Sequence, residues 1–132
     1  MNRSWKQLVL LLLFFIFTLS LSAQTKESIA RIQTSFNQLL SSTQALIAEG
    51  RYSEALRILQ QSLKFAKTEE EKKVSYFNLA EVNANLGQLP QAYERYSQCL
   101  DVARKLADTK TANYCEKSLE ILDLYNKAKN FI

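Results

Sequence analysis

Few residues of this chain could support bond-making chemistry. The sequence contains no histidine, which excludes a histidine general base, a Ser-His-Asp triad and a histidine metal site. It also lacks the glycine-rich loop that cradles phosphate groups. The acidic run at 69–71 could suggest a cation site, but acids in the first turn of a helix are better explained by the helix dipole. We therefore expect no enzyme activity, no cofactor and no metal.

The two cysteines, Cys99 and Cys115, lie equally far from residue 107, which falls in a predicted turn between two helices. In an antiparallel helical hairpin, residues equidistant from the turn lie at equal height, so the two sulfurs could face each other. An even cysteine count in an exported protein is compatible with a disulfide. The alternative is a pair of separate buried thiols that act as small apolar fillers.

The N-terminal segment has the composition of a secretory signal peptide. Residues 1–7 carry two basic residues and no acid, residues 8–17 are all apolar, and residues 18–24 turn to small and polar types. We predict cleavage after Ala23, or alternatively after Ser22, which gives a signal peptide (1–23) and an exported domain (24–132) in the periplasm or outside the cell. The other alternative is an uncleaved membrane anchor, although a span usually needs about 20 apolar residues.

The exported domain is close to neutral. Removal of Arg3 and Lys6 with the signal peptide leaves 15 of the 17 basic residues against 13 acidic ones, a net charge of +2. No basic stripe with interleaved aromatic residues is present, so nucleic acid is not an expected partner.

Helical periodicity predicts an all-α domain of about five helices. Glycine occurs twice and proline once in 132 residues, which disfavours a β-sandwich or barrel. Apolar residues spaced three and four apart predict helices over 25–49, 53–67 and 68–87, a fourth from 90 and a fifth over 109–129. Apolar positions expected to face the core include Ile29, Phe65, Tyr93, Leu106, Tyr114, Ile121 and Leu124, and we expect Tyr76 and Tyr96 to pack between helices.

Capping residues mark the predicted helix ends. Gly50 and Gly87 can take the left-handed conformation that ends a helix, and Pro90 suits a first turn. Glu71 stands three residues after a threonine, as in a capping box. The predicted N-cap residues, whose side chains can accept an amide hydrogen bond, are Thr25, Thr68 and either Asp108 or Thr109.

The chain also contains an internal repeat. A shift of 37 residues superposes Gly50 on Gly87, Ala55 on Ala92, Leu59 on Tyr96 and Leu63 on Leu100. With Tyr76, Leu79 and Ala80 before the second glycine, these residues stand at the spacing of a tetratricopeptide repeat, and residues 36–126 resemble that family. We expect Ala55 and Ala92 to lie where paired helices cross, because a larger side chain would force the helices apart.

This resemblance implies a short right-handed α-solenoid of two helix pairs and a capping helix, in an exported bacterial adaptor that binds a partner protein without catalysis. In such repeats the first helix of each pair lines a concave groove. The matching positions here are Leu40, Ser41, Gln44, Ile47, Phe77, Asn78, Glu81 and Asn85. The alternative is a self-associating structural subunit of an envelope-associated assembly, in which the long first helix mediates oligomerisation. Two repeats also leave an open end that could associate.

Overall fold

The structure, a computed structural model, describes residues 2–131, except for the side chains of residues 32–34. It contains α1 (Asn2–Ala48), α2 (Tyr52–Phe65), α3 (Glu69–Asn85), α4 (Leu89–Lys105) and α5 (Thr109–Asn130). No strand occurs in this part of the chain, and consecutive helices pack on one another as in a short helical solenoid. The prediction of an all-α repeat fold is therefore confirmed. The chain divides into two compact units, Met1–Thr34 and Ser35–Ile132.

The first unit contains the apolar part of α1. Its large apolar side chains, such as Leu11, Phe14 and Phe17, are exposed. The helix includes a window with a mean hydropathy of 2.2, so it is long and apolar enough to cross a membrane. A signal sequence passes the same test. Among the described residues, no other helix is long and apolar enough to cross a membrane.

The prediction that a helix begins at Thr25 is wrong. Thr25 lies inside α1, where its Oγ1 donates a hydrogen bond of 2.8 Å to the carbonyl of Ser22. Residues 18–25 contain no glycine or proline, so nothing interrupts the helix that the apolar run begins. Ile29, which was expected to face the core, is exposed.

In the second unit, one apolar cluster joins the end of α1 to α2 and α3. Its fully buried members are Ala55, Leu59, Leu79 and Val82, and the partly buried residues around them include Leu40, Leu46, Ile47, Leu56 and Leu63. On α2, Ala55, Leu59 and Leu63 stand four residues apart, so they lie on one face of the helix, and this face packs into the cluster. Helix α2 ends at Phe65, two residues before the predicted end.

A second apolar cluster joins α3, α4 and α5. Its buried members are Ala80, Ala92, Tyr96, Cys99, Leu100, Ala103, Ala112, Cys115 and Leu122. Most of these are alanine or cysteine, which lets the three helices approach closely. Neither Ala55 nor Ala92 has any exposed surface, which confirms that the repeated alanines lie at helix contacts.

The capping predictions for α3 and α5 are confirmed. Thr68 Oγ1 accepts a hydrogen bond of 3.1 Å from the amide of Glu71, and Glu71 Oε2 accepts one of 3.3 Å from the amide of Thr68. Asp108 caps α5 by accepting from the amide of Thr111 at 3.1 Å. Pro90 lies in the first turn of α4 as predicted.

Three turns of the second unit share one backbone conformation. Gly50, Gly87 and Ala107 have φ angles of 73°, 71° and 55°. In each turn the next residue donates its amide to a carbonyl five residues earlier, at 2.9 Å: Arg51 to Leu46, Gln88 to Asn83, and Asp108 to Ala103. This is the left-handed helix ending predicted for the two glycines. The sequence gives no comparable signal for Ala107, which is an ordinary residue in a glycine conformation.

Several apolar residues that were expected to face the core are exposed instead. They are Phe65, Tyr93, Leu106, Tyr114, Ile121 and Leu124, each at least 39% exposed. Periodicity counts every apolar position, whereas each helix packs against its neighbours through limited faces. The effect is largest on α5, where Ile121 and Leu124 are 65% and 64% exposed while Leu122 between them is buried. Tyr96 is buried and Tyr76 partly buried, as expected.

Candidate functional site

One face of α3 remains open in the packed unit. Helices α2 and α4 pack against the other sides of α3. Residues that recur three and four apart on the uncovered side, all partly or largely exposed, are Glu70, Val74, Phe77, Asn78, Glu81 and Asn85. Tyr114 of α5 lies beside them, with its ring centroid 5.2 Å from that of Phe77 and the planes tilted by 56°. We call this α3 face together with Tyr114 the groove.

Glu81 connects three helices in the middle of the groove. Its Oε1 accepts a hydrogen bond of 3.0 Å from the hydroxyl of Tyr114 on α5 and another from the hydroxyl of Tyr96 on α4. Burial, followed by the hydrogen bond to Glu81, raises the pKa of each tyrosine. Both phenols therefore remain protonated donors at neutral pH. Glu81 Oε2 has no hydrogen-bond donor among the described residues.

An open cavity of about 230 Å³ lies at the end of the groove where α3 and α5 begin. Its lining residues are Glu70, Lys73, Val74, Phe77 and Thr111. Lys73 Nζ lies 2.6 Å from Asp108 Oδ2 and 2.7 Å from Glu70 Oε1. Burial lowers the pKa of Lys73, but the hydrogen bonds to Asp108 and Glu70 outweigh it and raise the pKa. The cavity thus combines an apolar wall with a lysine whose charge is already paired.

The structure brings together the four groove residues predicted on α3. Asn78 donates a hydrogen bond from Nδ2 to the carbonyl of Val74, and Asn85 does the same to the carbonyl of Glu81, both at 2.8 Å. Each amide uses one N–H on its own helix, which leaves its oxygen and its second hydrogen for a partner. Phe77 is half-buried, and its ring faces Tyr114.

The four positions predicted on α1 do not form an equivalent surface. Leu40 and Ile47 pack against the core cluster of α2 and α3, because apolar side chains at that spacing are the ones that α2 covers. Ser41 and Gln44 are exposed. The binding role of all eight predicted residues stays a prediction.

Sequence reasoning missed Tyr114 as a groove residue and placed it among the packed residues. The signal was present, however. The shift of 37 that superposes Gly50 on Gly87 also superposes Leu40 on Phe77 and Phe77 on Tyr114. Applying the repeat once more would have identified Tyr114 as the equivalent of Phe77 on a third helix. No such rule points to Val74 or Thr111, since their place in the cavity depends on how α3 and α5 approach.

Cys99 and Cys115 lie behind the groove, at the contact of α4 and α5. Both are fully buried, and both belong to the apolar cluster of α3, α4 and α5. The hydrogen bond to Cys115, together with burial, raises the pKa of Cys99, which makes its thiol a poor nucleophile. The structure holds both residues as free thiols, and the disulfide stays a prediction.

The groove contains hydrogen-bonding groups beside aromatic rings. Its polar side-chain atoms belong to the carboxylates of Glu70 and Glu81, a phenol that donates to Glu81, and two amides. Among the described residues, no group of three or more Cys, Asp or Glu side chains is placed to hold a metal ion. Aromatic faces with nearby amides are suited to recognition of a polypeptide segment.

Comparison with known proteins identifies the family. Residues 39–125, well over half of the chain, match the family model described as anaphase-promoting complex subunit 5. The match extends from the end of α1 into α5 and so includes the groove. No curated protein and no solved structure matches the chain. The matched family consists of tetratricopeptide-like helical subunits with a structural rather than a catalytic role. The chain therefore belongs to the anaphase-promoting complex subunit 5 family.

Proposed function

We propose that the chain is a non-catalytic adaptor that holds a segment of a partner protein in the groove. The observation that carries this proposal is the open aromatic pair of Phe77 and Tyr114 beside a cavity of about 230 Å³. Partly exposed aromatic side chains at a concave surface are common anchors for a protein partner. The family supports the same class of function, since its name describes a subunit of a complex.

An extended segment is the form of partner that suits the groove. Asn78 and Asn85 lie two helical turns apart on the open face of α3. Their amides can pair with N–H and C=O groups of an extended backbone. An apolar side chain of the segment would enter the cavity against Val74 and Phe77.

Site-specific photo-crosslinking in the producing cells tests the surface. A photoreactive residue at position 78 or 85 is expected to capture the same partner, because both positions lie on the groove. The matched control is position 93, since Tyr93 is an exposed aromatic residue on α4 and lies outside the groove. Equal capture from position 93, or no capture from either groove position, would contradict the proposal.

A second measurement uses the partner that the crosslinks identify. The double variant Asn78→Ala/Asn85→Ala removes two side chains that could each contribute about 0.5–1.5 kcal/mol through hydrogen bonds. We expect its affinity to fall by roughly tenfold relative to the wild type. Unchanged affinity would remove these two residues from the binding surface.

We also propose that the chain acts after export, in the periplasm or outside the cell. The support is its basic N-terminus, the apolar run at 8–17 and the exposed apolar part of α1. Mass spectrometry of the chain recovered from producing cells would measure its first residue. We expect Gln24, or Ala23 if the cut follows Ser22. An intact chain in the membrane fraction would instead support the uncleaved anchor.

A second candidate function is that of a subunit that self-associates through the outer face of α5. Ile121, Leu124 and Phe131 on this face are 65%, 64% and 92% exposed. Antiparallel packing of two α5 helices through this face would bury Ile121 and Leu124 of both copies. Light scattering on the processed chain tests this. A dimer that Leu124→Lys dissociates would support it, and a monomer at high concentration would exclude it.

A further inference from the structure

We infer that the groove recognises a basic side chain, lysine or arginine, of its partner at Glu81. This inference rests on the proposed function, because it names the chemistry of the segment that the groove holds. It depends on three features of the second unit: a fixed carboxylate, two aromatic rings beside it and the charge of the surrounding surface.

The carboxylate of Glu81 is held in place before any partner binds. Tyr96 and Tyr114 come from two different helices, and both donate to the same oxygen, Oε1. The other oxygen, Oε2, has no donor within the part of the chain that the structure describes. A carboxylate that is already oriented loses little side-chain entropy when it pairs with a cation. It is also half-buried, so solvent screens the ion pair less than at an open surface.

Aromatic side chains of two helices lie next to this carboxylate. Phe77 precedes Glu81 by one helical turn on α3, and Tyr114 bonds to the carboxylate through its own hydroxyl. The two rings are 5.2 Å apart and remain partly exposed. Lysine and arginine carry apolar stems that pack on such rings, and their charged groups are attracted to ring faces. An acidic or small polar side chain gains neither contact.

The charges at the end of the groove where α3 and α5 begin also favour a cationic segment. Lys73 is the one basic residue that lines the adjoining cavity, and it pairs with both Glu70 and Asp108. Glu70 and Asp108 together carry two negative charges against the one positive charge of Lys73, so this ion-paired group has a net charge of −1. A concave patch of negative potential attracts cations and repels a terminal carboxylate.

Peptide pools of defined composition test the inference. The probes are fluorescent random hexapeptides whose third residue is fixed as Arg, Lys, Gln or Glu, and fluorescence anisotropy measures their binding to the processed chain. We expect the Arg and Lys pools to bind about fivefold to tenfold more tightly than the Gln pool, with the Glu pool weakest. Glu81→Gln should abolish this preference while binding of the Gln pool persists, because glutamine keeps the size and an accepting oxygen but removes the charge.

The matched control is Glu94→Gln, which removes the same charge from an exposed position on α4 outside the groove. We expect this control to keep the preference for basic pools, and circular dichroism should show both variants folded. If the wild type binds all pools equally, or if the control also loses the preference, the assignment to Glu81 is overturned while the groove stands. If no pool binds the wild type, the proposed groove is overturned as well.

Discussion

The ammonium of Lys73 in α3 lies 2.6 Å from a carboxylate oxygen of Asp108, 35 residues later in the chain. Asp108 is also the N-cap of α5, where it accepts hydrogen bonds from the amide and the hydroxyl of Thr111. One carboxylate therefore both begins a helix and attaches it to another. The side chain of Lys73 is only 9% exposed, so the pair is partly shielded from solvent.

Asp108→Asn tests this attachment through its pH dependence. Hydrogen bonds from Lys73 and Thr111 hold the pKa of Asp108 well below its usual value of 3.8. Because the unfolded chain binds the proton first, the stabilisation is present above roughly pH 5 and is lost as the pH falls below about 4. Asparagine can still cap the helix but cannot form the ion pair.

We therefore expect the wild type to melt at a higher temperature than Asp108→Asn at pH 7, and the difference to shrink towards pH 3. Thermal circular dichroism at a series of pH values measures both curves. Melting temperatures that stay equally far apart from pH 7 to pH 3 would show that the charge of Asp108 does not stabilise the fold.

The conformation of Ala107 predicts a stabilising substitution. A side chain other than glycine in the left-handed region costs about 1–2 kcal/mol, and Ala107 has a φ of 55°. Glycine loses more backbone entropy on folding, which offsets part of this gain. We expect Ala107→Gly to raise the free energy of unfolding by about 0.5–1 kcal/mol in urea titrations.

Gly87→Ala is the matched reverse change. A Cβ at Gly87 would meet no atom within 4 Å, so the substitution tests backbone conformation alone. We expect it to lower the free energy of unfolding by about 1 kcal/mol. A stabilising Gly87→Ala, or a destabilising Ala107→Gly, would contradict the assigned turn geometry.

Ala92→Leu tests the close contact of α3 and α4. Ala92 has no exposed surface and belongs to the cluster that contains Ala80. Inserting the larger side chain into this contact should destabilise the fold by about 1–3 kcal/mol in urea. Ala45→Leu makes the same change at an exposed position of α1 and should be close to neutral. If both variants lower the free energy of unfolding by the same small amount, the contact at Ala92 can accommodate the larger side chain, and the prediction is wrong.

The cysteine pair gives a prediction about reactivity. Cys99 and Cys115 are fully buried, and the pKa of Cys99 is raised by its hydrogen bond to Cys115 and by burial. We expect the folded, reduced chain to resist iodoacetamide and to incorporate two labels after unfolding, measured by mass spectrometry. Rapid labelling of the folded chain would contradict the packing of α4 on α5.

The same labelling without reductant separates the two predicted states. A chain that takes no label after unfolding contains the disulfide, and one that takes two contains thiols. For a bridged chain we expect reduction to lower the free energy of unfolding by about 3 kcal/mol, the loop-closure value for this spacing.

The sequence predicted the fold where local chemistry determines it. Thr68 and Glu71 cap α3, and the 37-residue shift located Ala55 and Ala92, because small side chains are required at helix crossings. The predicted beginning of α1 was wrong. A threonine such as Thr25 can cap a helix only where the helix begins, and no glycine or proline ends the preceding apolar helix before residue 25. Ile121 is exposed because none of the described helices covers its side of α5. Periodicity identifies apolar positions but does not show whether another helix packs on them.

The candidate site was predictable only in part. Resemblance placed Phe77 and Glu81 on one helix face, because positions within a helix follow from spacing. The bonds of Glu81 to Tyr96 and Tyr114 join three helices, so they depend on how those helices cross. The pairing of Lys73 with Asp108 has the same origin, and a single sequence contains no spacing rule for it.

The turns at Gly50 and Gly87 have the same hydrogen bonds and nearly the same φ angles. Residues 51–87 therefore form a cassette whose two ends are chemically interchangeable. A tandem duplication of this segment would create only junctions of kinds that the chain already contains, and it would extend the row of Phe77 and Tyr114 by one aromatic position. In this architecture, gene duplication can lengthen the binding surface without requiring a new kind of turn between helices.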